Sequence, residues 1–280
     1  MQHIRFPNGD PFPKLGLGTW FMGERASAFA DEAAAVRYAV ERGIRVIDTA
    51  EMYAGGGAEK VVGAAIKQSP IEREDLFIVS KVLPGNAHYD DVIKACDGSL
   101  ARMDCGYIDL YLLHWRGGAP FRETIEAFEA LQASGKIRHF GVSNLDTDEM
   151  SEWLACDGSH ATATNQILYN LSRRGPEWDL LPLCRKHGIP VMAYSPLEQG
   201  RLQGDPVLNQ LAARHGVSPL QIALAWVLAQ DNVMAIPKSV NRTHIDQNIA
   251  ALEITLDEED HALLDAAFPP PDGPSYLEML

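Results

Sequence analysis

Short apolar runs alternate with amphipathic helical stretches along nearly the whole of this 280-residue chain. Short buried strands joined by helices are the pattern of a parallel sheet, because parallel strands need long crossover connections. The sequence predicts eight such strands, over residues 15–18, 45–49, 76–81, 107–114, 137–143, 163–166, 189–195 and 233–237. Eight consecutive strand–helix units predict a sheet that closes on itself, a (β/α)8 TIM barrel of the α/β class.

The segments between and after these strands predict ten helices, two more than eight units require. They are expected near residues 31–41, 58–67, 90–102, 122–133, 147–154, 178–187, 206–215, 219–229, 243–252 and 257–267. Ahead of the barrel, the apolar run Ile4–Phe6, the turn Asn8-Gly9-Asp10 and the segment Pro11–Pro13 predict a β-hairpin. Prolines suit an edge more than a central strand, so the hairpin is expected to act as a lid. No linker divides the chain, and we expect a single domain over residues 1–280.

An open, doubly wound sheet is the alternative arrangement of the same elements. It would normally carry a glycine fingerprint for phosphate in the turn after its first strand. No such fingerprint follows residues 15–18, and the triplet Gly55-Gly56-Gly57 matches neither G-x-G-x-x-G after a strand nor a P-loop. The closed barrel is therefore favoured.

The formal net charge of −14 bears on the partners of the chain. An acidic surface repels nucleic acid and anionic membranes, so neither is an expected partner. No apolar run reaches the roughly 18 residues that a membrane span needs, and the N-terminus does not resemble a secretory signal. We therefore expect a cytoplasmic protein that acts on a small molecule.

Cysteine and histidine spacing argues against a metal site or a redox dithiol. The cysteines are Cys96, Cys105, Cys156 and Cys184. No two of them have C-x-x-C spacing, so we interpret them as reduced thiols without a special role. The histidines lack paired spacing such as H-x-H or H-E-x-x-H, and no metal is expected.

Polar side chains stand at the carboxyl ends of the predicted strands, whereas the strand bodies are apolar. They are Asp48 with Tyr53 just beyond it, Lys81, His114, Ser143-Asn144, Asn165-Gln166, Tyr194-Ser195 and Pro237-Lys238-Ser239. In barrels of this class, catalytic groups come from the strand ends and the loops that follow them. A barrel built only for stability does not need this asymmetry.

Four of these residues also have a purely structural interpretation when each is taken alone. Asp48 could cap the next helix, Lys81 could extend its ammonium to solvent from a strand end, and His114 could be a hydrogen-bonded core residue. Tyr53 in a loop could serve surface packing. All four converge on one end of the predicted barrel, which favours a catalytic site.

The motifs around these positions resemble those of the aldo-keto reductase family. In chain order they are LGLGTW (15–20), VIDTAEMY (46–53), FIVSKV (77–82), YIDLYLLHW (107–115), GKIRHFGVSN (135–144), NQILYN (165–170), AYSPL (193–197) and AIPKS (235–239). The resemblance spans nearly the whole chain. The run GAEKVVG (57–63) is most similar to small bacterial members, including those that reduce methylglyoxal.

The resemblance implies NADPH-dependent reduction of small aldehydes and ketones, with Asp48, Tyr53, Lys81 and His114 as the catalytic tetrad. Tyr53 would be the proton donor. A phenol ordinarily has a pKa of about 10, and a buried cation beside it favours the phenolate, so Lys81 is expected to lower the pKa of Tyr53. Asp48 would pair with Lys81, and His114 would orient the substrate carbonyl by a hydrogen bond.

The resemblance also implies contacts to NADPH/NADP+. The implied residues are Thr19, Asp48, Ser143, Asn144, Gln166, Tyr194, Ser195, Leu197, Lys238, Ser239, His244, Gln247 and Asn248. Within this set, Tyr194 would stack on the nicotinamide, and Lys238 with Ser239 would meet the 2′-phosphate. Many relatives have an arginine where His244 stands here. Because an imidazole ordinarily titrates near pH 6.5, the preference for NADPH over NADH is expected to weaken from about pH 6 to pH 8.

The substrate pocket is expected to be open and broadly selective, because the loop after Lys81 and the tail after Phe268 are short. Trp20, Met52 and Trp115 would form its walls, although the same side chains also suit the core at the end of the barrel. A monomer is expected. Two alternatives remain open: a non-catalytic dinucleotide sensor on the same fold, which measurable turnover would exclude, and a metal-dependent hydrolase, which metal analysis would reveal.

Overall fold

The computed structural model describes residues 2–280, and the strands within them form two sheets. Strands β1 (His3–Arg5) and β2 (Pro11–Pro13) pair as an antiparallel hairpin. The others are β3 (Gly16–Gly18), β4 (Val46–Asp48), β5 (Phe77–Val82), β6 (Ile108–Leu113), β7 (Ile137–Ser143), β8 (Thr162–Leu168), β9 (Val191–Tyr194) and β10 (Val233–Ala235). These eight strands lie parallel, each beside its neighbour in the chain.

The first and last strands of the parallel sheet meet, so the sheet closes. Leu15 forms a parallel bridge with Ala235, and Gly18 forms one with Lys238. The backbone N–H of Ala235 donates to the Lys14 carbonyl over 2.9 Å. A closed sheet leaves no strand edge unpaired. The predicted (β/α)8 barrel is therefore confirmed, and the open sheet is not formed.

Ten α-helices within residues 2–280 surround the barrel. They are α1 (Phe29–Glu41), α2 (Gly57–Lys67), α3 (Tyr89–Met103), α4 (Phe121–Ala133), α5 (Thr147–Leu154), α6 (Leu180–Lys186), α7 (Pro206–His215), α8 (Pro219–Ala229), α9 (Arg242–Ala250) and α10 (Glu258–Ala267). Two helices follow β9 and two follow β10, which accounts for the two extra helices predicted from the sequence. Over the same residues, no helix is long and apolar enough to cross a membrane.

Several helices begin where the local sequence predicts, because their first turns carry strong start signals. The Asp146 side chain accepts from the Glu149 N–H over 2.9 Å, and Glu149 reaches back to the Asp146 N–H, which is a capping box. Pro206 and Pro219 occupy the first turns of α7 and α8, where the missing N–H costs no hydrogen bond. The bounds of α5, α7 and α8 accordingly match the prediction.

The hairpin closes the amino-terminal end of the barrel. Phe6 and Phe12 stack with their ring centroids 4.4 Å apart, and the Phe12 ring lies 5.0 Å from that of Phe77, the first residue of β5. Both hairpin rings belong to a buried cluster with interior barrel residues such as Leu110 and Met234. The expected lid is therefore present, and it leaves the carboxyl end of the barrel for chemistry.

Most strand bounds shift by one or two residues from the prediction, and two of the differences have local physical reasons. β8 is longer, because Thr162 pairs with Phe140 at one end and Leu168 pairs with Tyr194 at the other. β10 ends at Ala235 rather than at residue 237. Pro237 has no N–H to donate to a neighbouring strand, so regular pairing stops before it.

Candidate functional site

The four residues of the predicted tetrad meet at the carboxyl end of the barrel. Asp48 is the last residue of β4, Lys81 lies near the end of β5, and His114 directly follows β6. Tyr53 comes from the short 3-10 turn between β4 and α2. These three strands are consecutive neighbours in the sheet. The parallel register therefore brings together side chains that are far apart in sequence.

Lys81 is the centre of the cluster. Its Nζ lies 2.9 Å from each carboxylate oxygen of Asp48 and 2.8 Å from the Thr49 carbonyl oxygen. The same ammonium lies 3.2 Å from the Tyr53 hydroxyl oxygen. Lys81 is fully buried and Asp48 is 2 % exposed. The pair can persist inside the barrel because each charge has its counterion and further hydrogen-bond partners.

The electrostatics of Tyr53 differ from the expectation. Burial raises the pKa of the Tyr53 hydroxyl well above its usual value, and the Asp48 carboxylate raises it further. The predicted lowering by Lys81 is therefore wrong for this geometry. The reason is that Asp48 balances the charge of Lys81, so burial outweighs the cation. Tyr53 is consequently a neutral phenol that can donate its proton throughout the physiological range.

His114 is held as a neutral imidazole beside Tyr53. It is 7 % exposed, and burial together with the Lys81 charge lowers its pKa to about 2. Its ring lies edge-on to the Tyr53 ring, with the centroids 5.8 Å apart. Nδ1 is buried and has no hydrogen-bond partner among the residues described. A neutral imidazole has one N–H donor, so His114 can donate to an oxygen between the two rings without adding charge.

The glycine triplet that precedes α2 shapes the loop that carries Tyr53. Gly56 has a φ of +86°, and a Cβ on it would lie 2.4 Å from Arg102 Cδ. A Cβ on Gly57 would lie 2.6 Å from the carbonyl oxygen of Gly23. Only glycine fits both constraints, a left-handed backbone and a close approach between loops. The triplet serves loop geometry and leaves Tyr53 facing Lys81.

The residues predicted to contact the nicotinamide form one hydrogen-bond network. Ser143 Oγ donates to the Gln166 carbonyl over 2.9 Å, and Asn144 Nδ2 lies 3.2 Å from Ser143 Oγ. The Tyr194 hydroxyl donates to Asn144 Oδ1 over 3.0 Å. Gln166 Nε2 donates to Asp48 Oδ1 over 2.8 Å, which joins the network to the tetrad. Thr19 joins it too, because its hydroxyl donates to the Asp48 carbonyl over 2.9 Å.

The loop after β9, which carries Ser195 and Leu197, is held by two residues that the sequence analysis did not single out. Asn170 Nδ2 donates to the Ser195 carbonyl over 2.9 Å and to Glu198 Oε2 over 2.8 Å. Glu198 is 4 % exposed and pairs with Arg173 over 2.9 Å. Ser195 and Glu198 both have positive φ. This strained loop stays in place because its buried polar groups are paired. Asn170 is the final residue of the NQILYN motif, and that motif is the sequence signal that could have identified it.

The segment after β10 borders a surface cleft of about 820 Å³. Lys238 lines this cleft, and Ser239 beside it is 8 % exposed. Arg25 and Arg242, which the sequence analysis did not identify, line it as well. The other predicted residues of this region lie on α9, where His244 is exposed and Gln247 and Asn248 are half-buried.

Of the three predicted substrate residues, Trp115 contacts the tetrad directly, Trp20 follows β3 and Met52 directly precedes Tyr53. The Trp115 ring lies 4.8 Å from the His114 ring, centroid to centroid. Trp20 stacks on Phe21 with the centroids 4.3 Å apart, and Met52 is 49 % exposed.

In the described part of the chain, no group of three His, Cys, Asp or Glu side chains is arranged to hold a metal ion.

Comparison with known proteins gives matches over essentially the full length. The chain is 49% identical to methylglyoxal reductase YeaE of Escherichia coli, over 99% of this chain and 98% of that protein. It is 36% identical to glyoxal reductase of Bacillus subtilis, over 94% and 91%. The fold matches the crystal structure of an aldo/keto reductase from Klebsiella pneumoniae in complex with NADP and acetate. That match has a TM-score of 0.96 and 47% identity and covers 99% of each chain.

The family model agrees with these relatives. The model of the aldo/keto reductase family matches residues 14–268, which extend from just before β3 to the end of α10. This match confirms the resemblance that the motifs indicated. The chain belongs to the aldo/keto reductase family.

Proposed function

We propose that this chain reduces small aldehydes and ketones with NADPH, that methylglyoxal-like dicarbonyls are its preferred substrates, and that Tyr53 is the general acid. The observation that carries the proposal is the cluster at the end of the barrel. There, Lys81 Nζ contacts Asp48 over 2.9 Å and Tyr53 Oη over 3.2 Å. A phenol, an ammonium and an imidazole within one pocket are what proton delivery to a carbonyl oxygen requires.

The bound cofactor would supply a hydride to the carbonyl carbon. The carbonyl oxygen would then become negative and need a proton, which Tyr53 Oη would give. His114, neutral because of its low pKa, holds the oxygen by a hydrogen bond and orients it toward Tyr53. Lys81 stabilises the negative charge that remains on the phenolic oxygen, because its ammonium lies 3.2 Å away. Asp48 keeps that ammonium in place.

The residues present suit NADPH as the cofactor. The half-buried Tyr194 ring offers a stacking surface beside the amides of Asn144 and Gln166, whose donors and acceptors match a carboxamide. Lys238 lines an open cleft and suits an anionic phosphate. Among the relatives, the Klebsiella pneumoniae aldo/keto reductase was crystallised with NADP. The NADPH assignment therefore has support both from the side chains of this chain and from its relatives.

The preferred substrate class follows from the pocket and the relatives. Methylglyoxal reductase and glyoxal reductase are among the most similar proteins. Activated dicarbonyls also need little binding energy from groups distant from the reacting carbon, which suits a pocket with few long loops around it. Location in the cytoplasm, a monomeric state and a single domain over residues 1–280 remain predictions.

A panel of carbonyl compounds tests the proposal. NADPH consumption would be followed with methylglyoxal, glyoxal, a simple unactivated ketone and a keto-steroid. We expect kcat/KM for the dicarbonyls to exceed that for the unactivated ketone and the steroid by at least about 100-fold. A steroid with the highest kcat/KM would overturn the substrate class, whereas no turnover of any compound would overturn the reductase assignment.

A further inference from the structure

Three cations without a counterion line one cleft of this acidic protein. Lys238 follows β10, Arg242 begins α9, and Arg25 lies in the segment between β3 and α1. Within residues 2–280, none of the three lies within 4.0 Å of an Asp or Glu carboxylate oxygen. The chain has 38 acidic residues and 24 Lys and Arg residues. Unpaired cations gathered in one place on such a surface indicate an anionic ligand.

The Arg242 guanidinium is held ready by its surroundings. Its Cζ lies 4.9 Å from the centroid of the Tyr38 ring, a cation–π contact. The Tyr38 hydroxyl donates to Asp246 over 2.7 Å, and Arg42 Nε donates to the same carboxylate over 2.7 Å. Arg42 therefore offsets the charge of Asp246. Arg242 stays available to a ligand in the cleft.

The acidic residues of the cleft do not cancel its cations. Glu32 is 8 % exposed, and its carboxylate accepts the Gly23 N–H over 2.7 Å, so it is engaged in holding the loop. Asp31 lies in the first turn of α1 and faces the positive end of that helix. Glu24 is exposed on the loop. Each of the three lines the cleft without forming an ion pair with a cation.

We infer that Arg242 and Arg25, together with Lys238, bind the 2′-phosphate of the cofactor and replace the arginine that is absent at position 244. This inference rests on the proposed NADPH dependence. The Asn241 side chain accepts from the backbone N–H groups of Thr243 and His244, so those two groups are not free to bind the phosphate. Side chains that line the cleft would therefore supply its main contacts. Two guanidinium groups and one ammonium suit a dianion, since arginine binds phosphate through two parallel hydrogen bonds.

This assignment removes the pH dependence of the NADPH preference that was expected from His244. A guanidinium stays charged at every pH of interest, so the preference for NADPH no longer depends on an imidazole. Between about pH 7 and pH 8.5 the phosphate is a dianion. The ratio of the dissociation constants of NADH and NADPH should therefore stay constant across that window. If His244 carried the preference, the ratio would fall as the pH rises.

Fluorescence titration of the full chain with NADPH and with NADH tests the inference. We expect Arg242→Gln and Arg25→Gln each to raise the Kd for NADPH by about 10-fold, with a change of less than about two-fold for NADH. Arg242→Lys should give a smaller loss than Arg242→Gln. Arg185→Gln is the matched control. Arg185 is exposed on α6, away from the cleft, and also lacks a carboxylate partner among residues 2–280. Its replacement should leave both Kd values unchanged.

The outcomes separate the inference from the proposed function. If the wild type prefers NADPH and both glutamine variants keep that preference in full, the arginine assignment is overturned while the reductase proposal stands. A wild type that binds NADH as tightly as NADPH contradicts the cofactor assignment itself. Arg242→Gln loses the contact of Arg242 with the Tyr38 ring and could unfold for that reason. Arg25 is exposed on a loop, so Arg25→Gln tests the inference independently of that contact. A thermal melt of each variant identifies that case.

Discussion

Replacing Lys81 with Met should destabilise the protein in a way that depends on pH. Lys81 is fully buried, and its Nζ lies 2.9 Å from both carboxylate oxygens of Asp48. In Lys81→Met, Asp48 keeps Gln166 Nε2 as a side-chain donor but has lost its counterion. Breaking a buried ion pair in this way typically costs about 3–5 kcal/mol.

The loss of stability in Lys81→Met has an upper bound, because the Asp48 carboxyl, left without its counterion, can take up a proton. Unfolded aspartate has a pKa of about 3.9, so protonation costs at most about 4.2 kcal/mol at pH 7 and about 1.5 kcal/mol at pH 5. Burial already raises the pKa of Asp48, whereas Lys81 lowers it, so removing Lys81 raises it further. An acid with a raised folded pKa destabilises above its unfolded pKa, and the penalty disappears as the pH falls toward about 4.

Urea unfolding followed by tryptophan fluorescence at pH 7 and pH 5 measures this effect. The stability deficit of Lys81→Met relative to the wild type should shrink between pH 7 and pH 5, by up to about 2.7 kcal/mol. The control, Asp48→Asn with Lys81→Met, leaves no buried charge, so its deficit should be smaller at pH 7 and equal at both pH values. An equal deficit for Lys81→Met at pH 7 and pH 5, or a double variant less stable than Lys81→Met at pH 7, would refute this reasoning.

Two further predictions concern the neighbours of the pair. The folded pKa of His114 is about 2 and the unfolded value is about 6.5, so wild-type stability should fall by about 1.4 kcal/mol per pH unit below about pH 6.5 on account of this group. Urea unfolding of His114→Asn should therefore show about 2 kcal/mol less loss between pH 7.5 and pH 5 than the wild type, and equal losses would contradict the burial of a neutral ring. Gly56→Ala adds a Cβ at 2.4 Å from Arg102 Cδ at a φ of +86°, so it should cost about 1–3 kcal/mol in a denaturation experiment and lower kcat by moving Tyr53. Wild-type stability and kcat in Gly56→Ala would mean that the loop does not position the phenol.

The fold was predictable because its signals are local and repeated. Capping residues such as Asp146, and prolines at the first position of α7 and α8, set helix bounds without knowledge of the tertiary structure. Each strand also presented an apolar body and a polar end. Strand ends were less predictable, because regular pairing of β10 stops before Pro237, which lacks an N–H.

The candidate site was predictable in its members but not in its electrostatics. The sequence places Asp48 and Lys81 at strand ends and Tyr53 in the loop that follows, but the pKa of Tyr53 depends on its burial and on the nearby Asp48 carboxylate. Arg25 and Arg242 were missed for a related reason. They lie outside every motif and 217 positions apart in the numbering, and only the closure of β3 onto β10 brings their segments to one cleft.

The central claim is that Tyr53 is the general acid. A substitution can remove its hydroxyl group and keep its aromatic ring. Tyr53→Phe keeps the ring that packs beside His114 and deletes the hydroxyl that lies 3.2 Å from Lys81 Nζ. The single-turnover rate of NADPH oxidation by methylglyoxal reports the chemical step and is independent of product release. Matching NADPH dissociation constants and thermal melts for the two proteins would exclude a folding or cofactor defect.

The decisive measurement is therefore the single-turnover rate of wild type and Tyr53→Phe at pH 7 under saturating methylglyoxal. The account predicts a rate that is about 10²–10⁴-fold lower in Tyr53→Phe, with an unchanged Kd for NADPH. A Tyr53→Phe rate close to that of the wild type would contradict the assignment of Tyr53 as the general acid.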